Sequence, residues 1–269
     1  MKNKRVLIIS SEVVPYLPQT EQAVNSFNLP KEINENGGQT RIFMPRYGVI
    51  NERRHQLHEV IRLSGMNLVI NDLDMPLIIK VASIPKERMQ VYFIDNEEYF
   101  KRRSLLHNDK GKLHSDNDER MIFFTKGVIE TVKKLNWSPD IIHVHGWIAS
   151  LMPLYLKEYY RDEPLFSNTK VVTSIYENEI EGKLSNDIVK KIHFDEIQSE
   201  TLNQLSDPSY ENLYKISILN SDGVVFANQN IKQTYIDLAN SLKIPILNCG
   251  FDEGFEKQYI EFYNDKILK

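Results

Sequence analysis

Short β-branched or apolar runs alternate along this chain with longer segments whose apolar residues recur every three or four positions. Arg5–Ser10, Gln39–Met44, Ile141–Val144, Lys170–Ile175, Gly223–Phe226 and Pro245–Leu247 are the short runs. Their nearly unbroken apolar character is that of strands covered on both faces, as in a parallel sheet. Helical spacing predicts helices ending near Asn36 and spanning Leu184–Ile192, Tyr210–Leu219, Ile231–Leu242 and Phe255–Leu268. A longer one starts at the acidic cluster Asp116–Glu119, with Met121, Ile122, Phe124, Val128, Ile129, Val132 and Leu135 as its apolar stripe. Strands alternating with helices predict an α/β fold, a parallel sheet with helices on both faces.

Two stretches depart from this alternation. Between residues 51 and 95, the runs Leu68–Ile70, Leu77–Val81 and Met89–Phe93 are separated by short polar turns, which predicts a strand-rich, antiparallel insertion. From Leu106 to Asn117 there is no period at all, as in a functional or mobile loop. Gly37 and Gly38 follow a helix and precede a strand, which suits a helix C-cap rather than a phosphate cradle. No repeat or low-complexity linker divides the chain. Residues 1–250 therefore read as one domain, with 251–269 as a C-terminal helix packed on it.

The stretch from Ser138 to Leu156 organises the rest. Pro139 stops the preceding helix, Ile141–Val144 forms a buried strand, and a tight turn leads directly into a helix. His143, His145 and Trp147 thus gather near the carboxyl end of a strand, where open α/β sheets bind ligands.

Composition narrows the classes. An apolar fraction of 41% with 26% charged residues is that of a globular chain rather than a disordered one. The net charge of -4 is spread without basic blocks, which excludes the phosphate-contacting stripe of a nucleic-acid binder. After Lys2, Lys4 and Arg5 only Val6–Ile9 are apolar, too short for a signal-peptide core or a membrane span. The single cysteine, Cys249, excludes an internal disulfide and suits a reducing compartment. A soluble, cytoplasmic protein is expected, with neither nucleic acid nor membrane as partner.

Candidate chemistry is sparse. His143 and His145, two apart on a strand, share a face, yet the third and fourth ligands of a metal site are not in sight; structural roles are expected. Cys249 follows an apolar strand and reads as a buried, inert thiol. The cluster Asp116, Asn117, Asp118 and Glu119 suits the N-terminal end of a helix, with an acid or base role as the alternative. Neither a Gly-x-Ser-x-Gly elbow nor a Walker or Gly-x-Gly-x-x-Gly loop occurs, against hydrolase, P-loop and common dinucleotide readings. Trp147, Tyr16, Tyr47 and Tyr176 lie just past strands, suiting either sugar and nucleotide rings or a half-buried rim.

Ser10-Ser11-Glu12-Val13-Val14-Pro15-Tyr16-Leu17, Pro45-Arg46-Tyr47-Gly48, Asp116-Asn117 with Glu119 and Arg120, Pro139 to His145 with Trp147, Pro153 to Leu156, and Lys215 with Ser221-Asp222 together resemble bacterial glycogen and starch synthases, glycosyltransferase family five. The resemblance spans nearly the whole chain. It implies the Rossmann-like N-terminal half of a two-domain GT-B fold, the side that mainly contacts the glucan acceptor. The whole enzymes transfer glucose from ADP-glucose to an α-1,4-glucan with retention. The second half, which carries most of the nucleotide-sugar site, is expected to have no counterpart here.

Departures from the family pattern are chemical. Its Lys-Thr-Gly-Gly loop is Pro18-Gln19-Thr20-Glu21, its Asp-Trp-His is Gly146-Trp147-Ile148, and its His-Asn pair is Tyr176-Glu177. A cation and two glycines that would receive a diphosphate are replaced, and Glu21 would repel one. The resemblance therefore implies a glucan- or partner-binding, regulatory module without stand-alone glucosyl transfer. The alternative is an acceptor-side subunit completed by another chain. Its pocket would comprise Glu12, Tyr16, Asp116, Asn117, His145, Trp147, Tyr176 and Glu177, with no catalytic residue, metal or cofactor assigned. The expected partners are an α-glucan or sugar nucleotide, and a protein partner or second copy on the face the second half would cover.

Overall fold

The computed structural model describes residues 1–84, 87, 89–176, 180–250 and 254–269. In chain order the elements are β1 (Arg5–Ser10), α1 (Glu21–Glu35), β2 (Gln39–Pro45), α2 (Glu52–His55), β3 (His58–Glu59), β4 (Met66–Ile70), β5 (Leu73–Ile84), β6 (Met89–Asp95), α3 (Glu97–Phe100) and α4 (Asn117–Leu135). There follow β7 (Ile141–His145), α5 (Met152–Lys157), β8 (Lys170–Ile175), α6 (Ile188–Phe194), α7 (Tyr210–Leu219), β9 (Gly223–Phe226), α8 (Gln233–Leu242), β10 (Ile246–Asn248) and α9 (Phe255–Phe262).

Among the described residues the strands join in the order β10-β9-β8-β7-β1-β2-β6-β5-β3, with β4 paired to β5 off this path. Every neighbouring pair from β10 across to β6 is parallel. Residues 51–95 are antiparallel within themselves, as the pattern predicts. Their last strand pairs with β2 in parallel, Phe43 opposite Tyr92, so this stretch extends the main sheet. The reversal of strand order lies around β1, which pairs with β7 on one side and β2 on the other. Such a crossing point leaves a crevice at the carboxyl ends of the strands.

The core follows from the apolar runs. Val6, Ile8, Ile9, Ile141, Ile142 and Val144 are fully buried at the centre of the sheet. A single apolar stripe understates α4, because Asp118, Arg120 and Lys126 are buried on it as well. Lys126 pairs with Asp195 beyond the end of α6, and Tyr155 of α5 donates to the same carboxylate at 2.8 Å. Breaking such a buried pair from one side costs about 3–5 kcal/mol, because the other charge is left in a dry interior.

Two boundaries differ from the pattern for visible reasons. The helix expected over Leu184–Ile192 starts only at Ile188, because Lys183 bridges Ser209 and the Leu184 amide donates to Pro208. The terminal helix keeps α-geometry to Phe262 and widens into a π-turn over Tyr263–Ile267. Gly37 takes φ +80° after α1, and its amide and that of Gly38 return to Asn34 and Ile33 carbonyls, a helix-ending cap. Among the described residues no helix is long and apolar enough to cross a membrane.

Candidate functional site

The loop after β1 and the start of α1 meet the turn after β7. Thr20 is the N-cap of α1, accepting from the Ala23 amide at 3.0 Å and donating to the Glu12 carboxylate at 2.8 Å. Burial pushes the Glu12 carboxyl up, against the lowering effect of that hydrogen bond. The helix terminus is thus satisfied by the chain's own side chains, and Glu21 adds a carboxylate in its first turn.

Gly146 explains the neighbouring turn. Its φ is +80°, and a Cβ there would lie 2.4 Å from Gln22 Nε2 and 2.5 Å from Ser11 Oγ. The buried Gln22 amide occupies this space, donating to Ser10 Oγ at 3.3 Å and to the His145 carbonyl at 3.4 Å. Where the family pattern has an acidic side chain, the chain has a glycine and a glutamine laid across it.

His143 and His145 lie side by side on one face of β7, their rings tilted by 35° with centroids 4.1 Å apart. His143 bonds Tyr263 through Nδ1 and Ser174 through Nε2, at 2.8 Å for the latter. His145 Nδ1 meets Tyr176 at 2.7 Å, and its Nε2 is buried without a hydrogen-bond partner. Both rings are fully buried, and the cost of burying charge lowers both pKa values, that of His145 to about 3. Both are therefore neutral near pH 7. Asn25 of α1 donates to Tyr176 at 3.0 Å and to Tyr259 of α9 at 2.8 Å, so one buried polar network joins β7, β8, α1 and the terminal helix. Among the described residues no cluster of three His, Cys, Asp or Glu side chains is arranged to hold a metal.

Farther along the same edge, over β8 and β9, lies an open cavity of about 590 Å³. Tyr176, Tyr210, Tyr214 and Tyr235 line it. Glu211 in its wall binds Lys215 at 2.8 Å and Lys232 at 3.0 Å, and these two lysines hold its carboxyl down to about 2. Tyr210 fixes one side. Its hydroxyl accepts from Asn117 at 3.0 Å, and its ring meets Trp147 edge-on at 6.1 Å. Arg120 sits behind this pair, donating to Asn117 Oδ1 at 2.7 Å and lying over the rings of Tyr47, Phe100 and Trp147. Cation–π contact replaces water around a guanidinium that is fully buried.

The predicted site residues thus fall into distinct places. Tyr176 lines the cavity, while Asn117 and Trp147 support it through Tyr210. Glu12 lies close enough for its charge to raise the Tyr214 hydroxyl further, after burial and the neighbouring tyrosines. His145 lies beneath Tyr176. Tyr16 packs instead against Phe93 and His55, with ring centroids 4.9 and 5.0 Å away. The acidic cluster stands at the start of α4 as expected, Asp116 at the N-cap and Asp118 and Glu119 in the first turn, but the Asp116 side chain makes no capping hydrogen bond. Its carboxylate takes two bonds of 2.6 Å from Arg102, which hold its pKa below the usual range despite burial. Asp118 and Glu119 bind Lys191 of α6. Glu177 lies outside the described residues. Cys249 is buried, with its Sγ 3.4 Å from the Gly250 carbonyl.

Sequence reasoning missed Gln22, Asn25 and three of the four cavity tyrosines. Only Tyr210 carried a local signal, standing just after Ser209, which caps α7 by accepting from the Asn212 amide at 3.3 Å.

The sequence family described as "Starch synthase catalytic domain" matches residues 5–239. The chain belongs to this family. The glycogen synthase of Chlorobium phaeovibrioides is 40% identical over 74% of this chain and 41% of its own length. That of Chlorobaculum tepidum is 34% identical over 95% of this chain and 51% of its own. The chain therefore spans about two fifths to one half of the relatives it matches, and corresponds to their N-terminal half. The catalytic domain of starch synthase IV from Arabidopsis thaliana, solved with ADP and acarbose, superposes with a TM-score of 0.72 at 16% identity, over 92% of this chain and 52% of that one. That likeness supports the GT-B fold.

Proposed function

We propose that this synthase-family chain binds an α-glucan at the tyrosine-lined cavity and does not, by itself, transfer glucose from ADP-glucose. The observation that carries the reading is the contrast at one sheet edge between the Gln22–Gly146 contact and the open cavity. Retaining glucosyl transfer needs positive charge to stabilise the departing diphosphate, and positioned partners for the sugar hydroxyls. Over β1 and β7 the chain offers Glu12, Glu21 and a self-capped helix start, which disfavour an anion. In the cavity Lys215 and Lys232 are offset by Glu211 together with Glu181 and Asp207 of the same lining, which favours a neutral ligand over a diphosphate. Tyrosine faces with polar tips suit sugar rings.

Incubation of the purified chain with ADP-glucose and glycogen should give no chain elongation. Calorimetric titration should give saturable heats with maltooligosaccharides and none with ADP. Elongation at enzyme-like rates sinks the catalytic half of the reading. Absence of maltooligosaccharide binding sinks the other half.

A further inference from the structure

On the opposite edge of the sheet, where β8 begins and α7 ends, a second cavity of about 320 Å³ lies beside α5 and the turn Pro164–Phe166. It shares no lining residue with the tyrosine cavity. Its volume is at the lower end of the range for small-molecule sites. Tyr160 and Phe166, both mostly buried, supply aromatic walls.

Apart from the exposed Lys157 and Arg161, the polar lining is one-sided in its hydrogen bonding. Ser167 Oγ donates to the Pro164 carbonyl at 3.0 Å, Thr169 Oγ1 to Pro139 at 2.7 Å, and Ser221 Oγ to Ser217 at 2.7 Å. Each hydroxyl has one proton, so all three are left with lone pairs only, one of Ser221's already met by Thr173 Oγ1 at 2.8 Å. Asn220 is similar. Its amide hydrogens go to the Ile216 carbonyl at 2.9 Å and Thr201 Oγ1 at 3.2 Å, whereas its Oδ1 is buried with no hydrogen-bond partner. The Asp222 carboxylate adds further acceptor oxygens, already engaged by Lys170 at 3.2 Å and the Val171 amide at 2.8 Å. Charged donors among the lining residues are confined to the exposed Lys157 and Arg161.

A cavity lined by acceptors fits a ligand rich in donors, since a buried acceptor left unpaired is costly. Phosphates and carboxylates would find cationic donors only in the exposed Lys157 and Arg161 at the mouth, and would bring acceptors to the acceptors of the rest of the polar lining. Polyamines bring donors, but their charge meets Lys157, Arg161 and Lys170, with Asp222 the one lining carboxylate. A neutral polyhydroxylated ring presents O–H donors at its edge and an apolar face to Tyr160 and Phe166. We infer that this cavity is a second carbohydrate site, sized for a mono- or disaccharide unit, and that it stands whether or not the tyrosine cavity takes a glucan.

The test is titration of the ¹⁵N-labelled full chain with maltose and sucrose, and with ADP and spermidine as charged probes, followed by amide spectra. At least one neutral sugar should give saturable shifts at Phe166, Ser167, Val171 and Ser221. Ser167→Trp, placed at an exposed position to fill the mouth, should weaken this by about tenfold with an unchanged far-UV spectrum. Phe166→Leu should weaken it by several-fold. The inference is overturned if neither sugar shifts these amides, or if ADP or spermidine shifts them more tightly. Sugar shifts confined to Tyr176, Tyr210 and Tyr235, or wild-type affinity in Ser167→Trp, would equally overturn it.

Discussion

The two halves of the sheet's carboxyl edge were built by the same rules and ended differently. Over β1 and β7, Gln22 lies across Gly146, Thr20 closes the start of α1, and two neutral histidines sit underneath. Over β8 and β9, four tyrosines and a Glu211–lysine cluster surround open space. A parallel sheet supplies a crevice at this edge, but its fold does not decide whether the crevice is filled. One inward-turned glutamine and one glycine close the first half, while the second stays open because its charged groups satisfy one another at the wall.

Acid is the strongest way to break that contrast, because it attacks the closed half. An unfolded histidine titrates near 6.5, whereas burial holds His143 well below this and His145 at about 3. Below pH 6.5 the unfolded chain takes up protons that the folded chain refuses, so stability is full above that pH and falls as pH drops toward 3. The slope should approach about 1.4 kcal/mol per pH unit for each histidine, giving roughly 2–4 kcal/mol lost between pH 7 and 5 in urea titrations. Asp116 and Glu211, whose pKa values are lowered, add their loss only below their unfolded values near 4. A flat profile from pH 7 to 5 would contradict the neutral, buried pair.

Gly146→Ala tests the same half by crowding. The new Cβ meets Gln22 and Ser11 at a backbone angle unfavourable to side chains, and should cost about 3 kcal/mol of unfolding free energy. Combining it with Gln22→Ala should recover part of that cost in a double-mutant cycle; strict additivity would show that the two do not compete for the space. In the open half, Tyr235→Ala should weaken maltooligosaccharide binding by about tenfold, or roughly 1.4 kcal/mol, with far-UV circular dichroism confirming the fold. The smallest effect is expected from Glu211→Gln. It removes the carboxylate that binds Lys215 and Lys232 directly, one of three in the lining, so ADP should gain a weak, salt-sensitive affinity of a few-fold, about 0.5–1 kcal/mol. No change in ADP binding would mean that charge balance does not set the preference.

Much of the fold was legible because its signal is local. β1, β8, α7 and β9 run over the residues that the apolar runs and helical spacing mark out, and the turn around Gly146 and Trp147 follows β7 directly. The family resemblance was carried by short motifs at strand ends, which keep their order whatever the side chains between them do. Less legible were the partnerships. Asp116 stands at the N-cap of α4 as the sequence suggests, but its carboxylate goes to Arg102, fourteen residues upstream, across the aperiodic loop. Tyr16 reads as a rim aromatic but turns toward Phe93.

The sequence by itself determined the alternation that makes a parallel sheet, the family, and the chemical departures at Pro18–Glu21, Gly146 and Ile148. These depend on residue type and order alone. Only the tertiary structure decided that Gln22 fills the space over Gly146, that Asn25 joins Tyr176 to the terminal helix, and that Tyr210, Tyr214 and Tyr235 meet around one cavity. The first two depend on packing between segments more than a hundred residues apart, such as Gln22 and His145, the third on how α7 and α8 pack beside the sheet, and no local periodicity encodes which side chain reaches a shared space first.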